Sequence, residues 1–464
     1  MAKLTFLGAA GTVTGSRHFL ELNGRKLLID CGLFQGKKAI RQKNWEPFPI
    51  APSTIDSILL THAHIDHTGF LPRLVREGFG GKIISTHATA DLCKYLLPDT
   101  GHLQEEEAKY ANKKGTSKHT PALPLFTVQD AEKTLTHFSP VEFGDHVEVA
   151  PGYRAKWRTA GHILGAAFLD IKSNGEDHPR KIVFGGDLGR PRDEVLREPA
   201  QAYNVDYLVL ESTYGDRLHS PMEPRRELAR VVHDSIKRGG VLIIPAFAVG
   251  RTQTLLYTLR ELEEEGLIPS LPIYVDSPMA IGATGVFDNR IADLNLFCRK
   301  QHLGGKALFR PRQLHFAQSV QQSMAINGVT GPAIIISASG MVAGGRILHH
   351  LKERMPDARN TVLFIGYQAE GTRGRMILDG MPSIKMYGEE VPVKAKIESI
   401  QGFSGHADYN EILGWLMGFN RKPERVFIVH GEPSAANAMA ERIRNHFGWD
   451  VVVPHEGQSF ELRL

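Results

Sequence analysis

At 464 residues the chain is too long for one ordinary hydrophobic core, and two or three domains are expected. A hydrophobic content of 42%, a charged content of 23% and 46 glycines exclude a disordered or fibrous chain and describe a soluble α/β-type enzyme. The net charge of +4 permits a polyanionic partner without demanding one.

The N-terminal MAKLTFLGAAGTVTGS has one lysine and a short apolar run broken by glycines, which makes a poor signal peptide. KLTFLGA, RHFLELNG, RKLLIDCG, SILLTHA, GKIISTH, KIVFGGD and DYLVLES then read as short strands closed by turn residues. Several end on a potential ligand or acid: Asp30, His62, Asp187 and Glu211. From about position 213, strand-like VLIIPAFAV, PIYVDSP, AIIISAS and TVLFIGYQ alternate with helical EPRRELARVVHDSIKRGG and RTQTLLYTLRELEEEG. That alternation predicts parallel βαβ units, a doubly wound insert whose acidic run Glu261 to Glu265 forms a solvated helix face. Past about 393 the strand-and-ligand texture returns in KIESIQGFSGHAD, RVFIVHGE and VVVPHEGQSFELRL, so one domain is interrupted by another. Cys31, Cys93 and Cys298 lie far apart with no CxxC, which fits a reducing cytoplasm. No run approaches the ~18 apolar residues of a membrane span.

THAHIDHTG (61–69) gathers His62, His64, Asp66 and His67 at a strand-to-helix turn. In an extended segment His62 and His64 face one side, while Asp66 and His67 come from the following turn. Imidazole and carboxylate suit zinc, and also iron, nickel or manganese; the lack of thiolates argues against a structural zinc finger. Further ligands must come from elsewhere. His162 in RTAGHILGA, Asp187 in KIVFGGDLG and His430 in RVFIVHGE share one context, a polar residue after an apolar strand and beside glycine. Together they bring the count to two four-ligand sites sharing Asp187. Asp30 in LLIDCG reads as an acid behind the ligands, holding a ligand's free N–H.

These successive motifs resemble those of the metallo-β-lactamase superfamily. GFSGHAD (402–408), YLVLESTYG (207–215), PAFAVGRTQ (245–253) and SASGM (337–341) further resemble its β-CASP branch of nucleic-acid nucleases, which includes RNase J and the endonuclease of the mRNA cleavage and polyadenylation factor. The resemblance runs over essentially the whole chain and is nearest to compact bacterial and archaeal ribonucleases. It implies a four-layer αβ/βα sandwich with an inserted doubly wound α/β domain: residues 1–209 and 393–464 forming the metallo-β-lactamase domain, and 210–392 the β-CASP insert. It assigns His62, His64 and His162 to one zinc ion, and Asp66, His67 and His430 to a second, with Asp187 bridging; other divalent metals are also compatible. Glu211 is the branch's extra acid and His406 its extra histidine. DNA-repair members commonly carry valine in the last motif, where this chain has His430, as RNA-cleaving members do.

Two such ions would activate a water and clamp the oxygens of an in-line displacement at phosphorus, leaving a 5′-phosphate and a 3′-hydroxyl. His406 is the expected proton donor to the leaving 3′ oxygen, with Glu211 orienting it; His406-Ala-Asp408 also reads as a helix start capped by Ser404. Arg251, Ser337, Ser404, Arg346 and Arg373 are candidate phosphate contacts, several on Gly-rich turns that open helices. The expected protein is a cytoplasmic, two-zinc ribonuclease acting on single-stranded RNA; the sequence leaves open whether it cuts as an endonuclease, as a 5′-to-3′ exonuclease or both, and whether it assembles as a homodimer. A DNA nuclease of the same branch, a small-molecule metallo-hydrolase and a catalytically dead RNA-binding scaffold are the alternatives. His430, the large insert and the complete ligand set argue against each in turn.

Overall fold

A computed structural model describes residues 2–115, 117, 119–174 and 179–464. The chain divides into two compact units, Met1–Leu218 with His406–Leu464, and His219–Gly405.

The first unit is built on two seven-stranded sheets. One runs, in spatial order, Ser459–Leu462, Ala2–Phe6, His18–Leu22, Arg25–Ile29, Ser57–Leu59, Lys82–Thr86 and Phe138–Val141. Its first pairings are antiparallel and its last three parallel. The other runs Val451–Val452, Arg425–Val429, Tyr207–Glu211, Lys181–Phe184, Ala167–Ser173, Tyr153–Thr159 and His146–Ala150, parallel through Lys181–Phe184 and antiparallel beyond. Leu4, Phe6, Leu27 and Ile29 of one sheet share a core with Trp157, Leu169, Phe184 and Phe427 of the other. Helices His87–Lys114 and Val128–Leu135 flank the first sheet, and Pro433–Phe447 flanks the second, which gives the four-layer sandwich. The inner parallel strands are buried on both faces, which is why they read as unbroken apolar runs such as Leu208-Val209-Leu210.

Parallel strands also leave their C-terminal ends side by side. Asp30 follows Arg25–Ile29, His62 and His64 follow Ser57–Leu59, Asp187 follows Lys181–Phe184, Glu211 ends its strand, and His430 follows Arg425–Val429. Five polar loops therefore converge on one end of the sandwich, where open α/β sheets bind ligands.

The second unit holds an all-parallel six-stranded sheet in the order Leu314–Phe316, Ile273–Val275, Ala333–Ser337, Val241–Pro245, Thr361–Phe364, Lys396–Ser399. Its core is formed by Ile243, Ile335, Leu351, Val362 and Phe364 among others. This unit runs His219–Gly405, where the sequence suggests an insert over 210–392. Residues 210–218 belong with the first unit, and Lys396–Ser399 pairs with Thr361–Phe364 as the insert's edge strand. Of the acidic run, Glu264 and Glu265 are exposed, whereas Glu261 and Glu263 correct the expected solvated face: both are buried, Glu261 against Arg260 and Glu263 accepting from the Arg312 backbone N–H at 2.8 Å.

Candidate metal centre

The hexapeptide 62–67 leaves its strand at Leu59 and enters the short helix Ile65–Thr68. The chain must pass close to Thr61 on its way to Asp187: a Cβ at Gly186, which sits at φ +55°, would lie 2.7 Å from Thr61 Cβ. Asp30 and His430 adopt left-handed backbone, φ 59° and 51°, unusual for non-glycine residues and concentrated at functional sites.

Two sets of donor atoms result. In the first, His64 Nδ1 lies 3.2 Å from His62 Nε2 and 3.1 Å from His162 Nε2, and Asp187 Oδ2 lies 3.3 and 3.4 Å from the same two Nε2 atoms. In the second, His430 Nε2 is 3.2 Å from His67 Nε2 and 3.2 Å from Asp66 Oδ2. Asp187 Oδ1 is 3.3 Å from His67 Nε2 and 3.6 Å from His430 Nε2. Ligands about 2.0–2.2 Å from a tetrahedral ion stand roughly 3.3–3.6 Å apart, so both sets have the spacing of a coordination shell. Each oxygen of Asp187 faces one set.

The hydrogen bonds behind the rings fix which nitrogens carry lone pairs. Asp30 Oδ2 accepts from His67 Nδ1 at 2.8 Å and from the Thr61 hydroxyl at 2.8 Å. Having donated to Asp30, Thr61 Oγ1 accepts from His62 Nδ1 at 3.0 Å. Thr213 Oγ1 stands 3.1 Å from His430 Nδ1. With their Nδ1 atoms so engaged, His62, His67 and His430 turn Nε2 toward the donor cluster. Thr61 and Thr213 escaped the sequence reading; their only signal is position, one residue before the histidine motif and two after Glu211.

Electrostatics point the same way. Burial pushes His64 down to about 3 and His162 well below the usual range, aided by neighbouring imidazoles, so these rings are neutral and able to ligate. On the other side, burial opposes charge on His67 and His430, yet the Asp187 carboxylate, with Asp66 and, for His67, Asp30, raises both. Burial alone would raise Asp187, but the surrounding histidines hold it well below the ordinary carboxylate range. Carboxylates that draw positive charge onto His67 and His430, gathered with the neutral rings of His64 and His162, suit a cation.

His406 stands beside the first set, its ring centroid 4.4 Å from that of His162 and its Nδ1 4.0 Å from Asp187 Oδ2. The same Nδ1 is 3.1 Å from each oxygen of Glu211. Glu211 is buried and also accepts the Leu188 backbone N–H at 2.7 Å. Burial opposes a charged His406, but Glu211 outweighs it and raises the imidazole to about 9. The helix that follows, Tyr409–Met417, is capped by Asp408 and not by Ser404: the Asp408 carboxylate accepts from the Asn410 and Glu411 backbone N–H groups, and Glu411 reaches back to the Asp408 N–H. The carboxylate sits at the residue just before the first helical turn, where a side-chain acceptor reaches the open N–H groups.

The five residues expected to touch phosphate all lie in the second unit. Arg346 bonds Asp276 at 2.7 Å and the Ala317 and Gln318 carbonyls at 2.9 Å each, and Ser337 donates to the Asp276 carbonyl at 2.8 Å. Arg251 is buried and donates to the Phe403 carbonyl, next to the buried Ser404. Arg373 holds the Lys385 and Ala343 carbonyls at 3.0 and 3.1 Å. Arg251, Ser337, Arg346 and Arg373 thus support turns of the insert through bonds within the protein.

A two-sheet sandwich carrying paired His/Asp donor sets at its strand ends, with a parallel α/β insert, defines a metal-dependent hydrolase. Family models for the metallo-β-lactamase superfamily match residues 13–132, for the Beta-Casp domain 252–377, and for the Zn-dependent metallo-hydrolase RNA specificity domain 390–454. The chain is 38% identical over 435 residues to Ribonuclease TTHA0252 of Thermus thermophilus, covering 94% of each. It is 32% identical over 483 residues to Transcription termination factor FttA of Pyrococcus abyssi, covering 99% of this chain and 71% of that one. A crystal structure of a protein of unknown function from Enterococcus faecalis V583 shares the fold at TM-score 0.54 and 12% identity, over 99% of this chain and 100% of that one. The chain belongs to the β-CASP branch of the metallo-β-lactamase superfamily.

Proposed function

We propose that this protein is a ribonuclease that hydrolyses phosphodiester bonds of single-stranded RNA with two zinc ions, in RNA processing or degradation. His62, His64, His162 and Asp187 Oδ2 would hold one ion, and Asp66, His67, His430 and Asp187 Oδ1 the other. When bound, the ions supply an activated water and neutralise charge on the phosphate. The remaining work falls to the chain. Asp30 fixes the ring of His67 directly and that of His62 through Thr61. Glu211 holds His406 Nδ1 and favours the imidazolium, which gives its proton to the leaving 3′ oxygen. The products are a 5′-phosphate and a 3′-hydroxyl.

One observation carries the reading: the two oxygens of a single buried carboxylate, Asp187, each face a set of donors at coordination spacing, with a charged His406–Glu211 pair beside them. The RNA specificity model over 390–454 and the ribonuclease relative support RNA as substrate. Incubation with 5′- and 3′-labelled RNA should yield 5′-phosphate and 3′-hydroxyl ends, lost with a chelator and restored by zinc. Metal analysis should find about two equivalents, and Asp187→Ala should lose at least one. Chelator-resistant cleavage, or equal cleavage of matched DNA, would overturn the proposal.

A further inference from the structure

In the first unit, strands His146–Ala150, Tyr153–Thr159 and Ala167–Ser173 form the last three of their sheet. Their inner face carries Ala155, Trp157, Leu169 and Ile171, all in the core. Alternation sends Arg154, Lys156 and Arg158 to the other face. There Arg154 lies directly opposite Lys172, which in turn lies opposite Lys181. Like charges paired across strands are destabilising.

Two of these cations are compensated internally. Lys181 Nζ is 3.0 Å from Asp170 Oδ2, and Arg158 is 3.9 Å from the same oxygen. Arg154, Lys156 and Lys172 have no carboxylate within ion-pair distance among the described residues, although Glu148 is the strand neighbour of Arg154. Arg154 and Lys172 are exposed and Lys156 half-buried. Their joint field is felt: His146, opposite Lys156, is lowered first by burial and then by Lys156, Arg154 and Lys172. Protection of a sheet edge does not explain them. Edge-blocking lysines belong on the edge strand, and His146–Ala150 carries His146 and Glu148 outward instead.

We propose that this face is an accessory site for the sugar–phosphate backbone of RNA, outside the metal centre. Arg154 and Lys156, the two uncompensated cations of the strand, stand two residues and roughly 7 Å apart, close to the spacing of phosphates along an extended strand. They run along the strand whose end leads into His162, so the track begins near the metal loops and leads away from them. The site reads charge and not sequence, adding affinity for long RNA over short. It rests on the ribonuclease reading above.

The test compares wild type with Arg154→Gln, Lys156→Gln and Lys172→Gln combined, using the full chain, a short oligoribonucleotide and a several-fold longer one. Long-RNA binding by the variant should weaken, with its log–log salt slope reduced by about 2, near 0.7 per cation removed. Cleavage of the short RNA should be unchanged, which also shows that the variant is folded. A charge-preserving variant, Arg154→Lys with Lys156→Arg and Lys172→Arg, should keep the wild-type slope. An unchanged slope in the glutamine variant, with wild type cleaving both RNAs, overturns the accessory site alone. If wild type neither binds nor cleaves either RNA, the ribonuclease reading falls and this site with it. Patch-dependent binding of phosphatidylserine vesicles with no change in RNA binding would identify a membrane surface and overturn the proposal.

Discussion

His406 touches Glu211 through Nδ1 and packs beside His162, so its substitution separates proton transfer from metal binding. His406→Ala should keep both metals and bind RNA, yet cleave about 10²–10⁴-fold more slowly. Glu211→Gln should fall in the same direction by less, because the imidazole remains but loses its charged partner. A substrate whose scissile 3′ oxygen is replaced by sulfur needs no proton on departure, and on it the His406 variant should recover most of its relative rate. An equally crippled variant on that substrate would refute the acid role. Asp30 stands one layer behind the donor cluster, bonded to Thr61 and His67. Asp30→Asn keeps the volume but turns one of two accepting oxygens into an NH2 donor, so the Thr61 N–H, the Thr61 hydroxyl and His67 Nδ1 cannot all be accepted, and chelator competition should show metal affinity reduced about 10–100-fold. Unchanged affinity would mean that packing alone orients the rings.

The helix Tyr409–Met417 begins three residues after His406, and its capping box ties Asp408 to Glu411, which also pairs with Arg190 at 3.1 Å. Asp408→Ala should cost about 1 kcal/mol in urea unfolding and also slow cleavage, since the residues leading into the cap carry His406. A stability loss with wild-type kcat would show that Ala407, whose N–H donates to the Leu188 carbonyl at 2.8 Å, holds His406 without the helix. Elements of this kind differ in how plainly the sequence announces them. Ser57–Leu59, Lys181–Phe184 and Arg425–Val429 are buried on both faces and lead within three residues to His62, Asp187 and His430, so an apolar run followed by His or Asp marks strand and candidate donor together. Lys396–Ser399 pairs on one side only and alternates Lys, Ile, Glu, Ser, a pattern too weak to distinguish an insert edge from a linker. Thr61 and Thr213 orient His62 and His430 through single hydroxyls, and threonine near a strand end is too common to stand out. The guanidinium of Arg346 could be placed on its turn by sequence, but its bond to the buried Asp276, 70 residues away, exists only in three dimensions.

Every donor in the two metal sets belongs to the first unit, while the second has its own core around Ile243, Ile335 and Phe364. Binding free energy toward the folded state should therefore be distributed unevenly over the chain. An ion at a hundredfold its dissociation constant stabilises the state that binds it by about 2.7 kcal/mol, and two sites add to this. The loops that supply the donors extend strands Ser57–Leu59, Lys181–Phe184 and Arg425–Val429, whose opening must disperse the donor sets. Native-state hydrogen exchange can read these strands separately from Val241–Pro245 and Ala333–Ser337 of the insert. Adding zinc to chelated protein should slow exchange in the first group by about tenfold or more and leave the second nearly unchanged. Asp187→Ala should abolish most of that difference, because it removes the oxygen facing each set. Equal protection of both groups would mean that the units open together and that metal stabilises the chain as one cooperative body. Protection that survives Asp187→Ala would mean that zinc acts elsewhere, and the paired assignment of ligands would have to be abandoned.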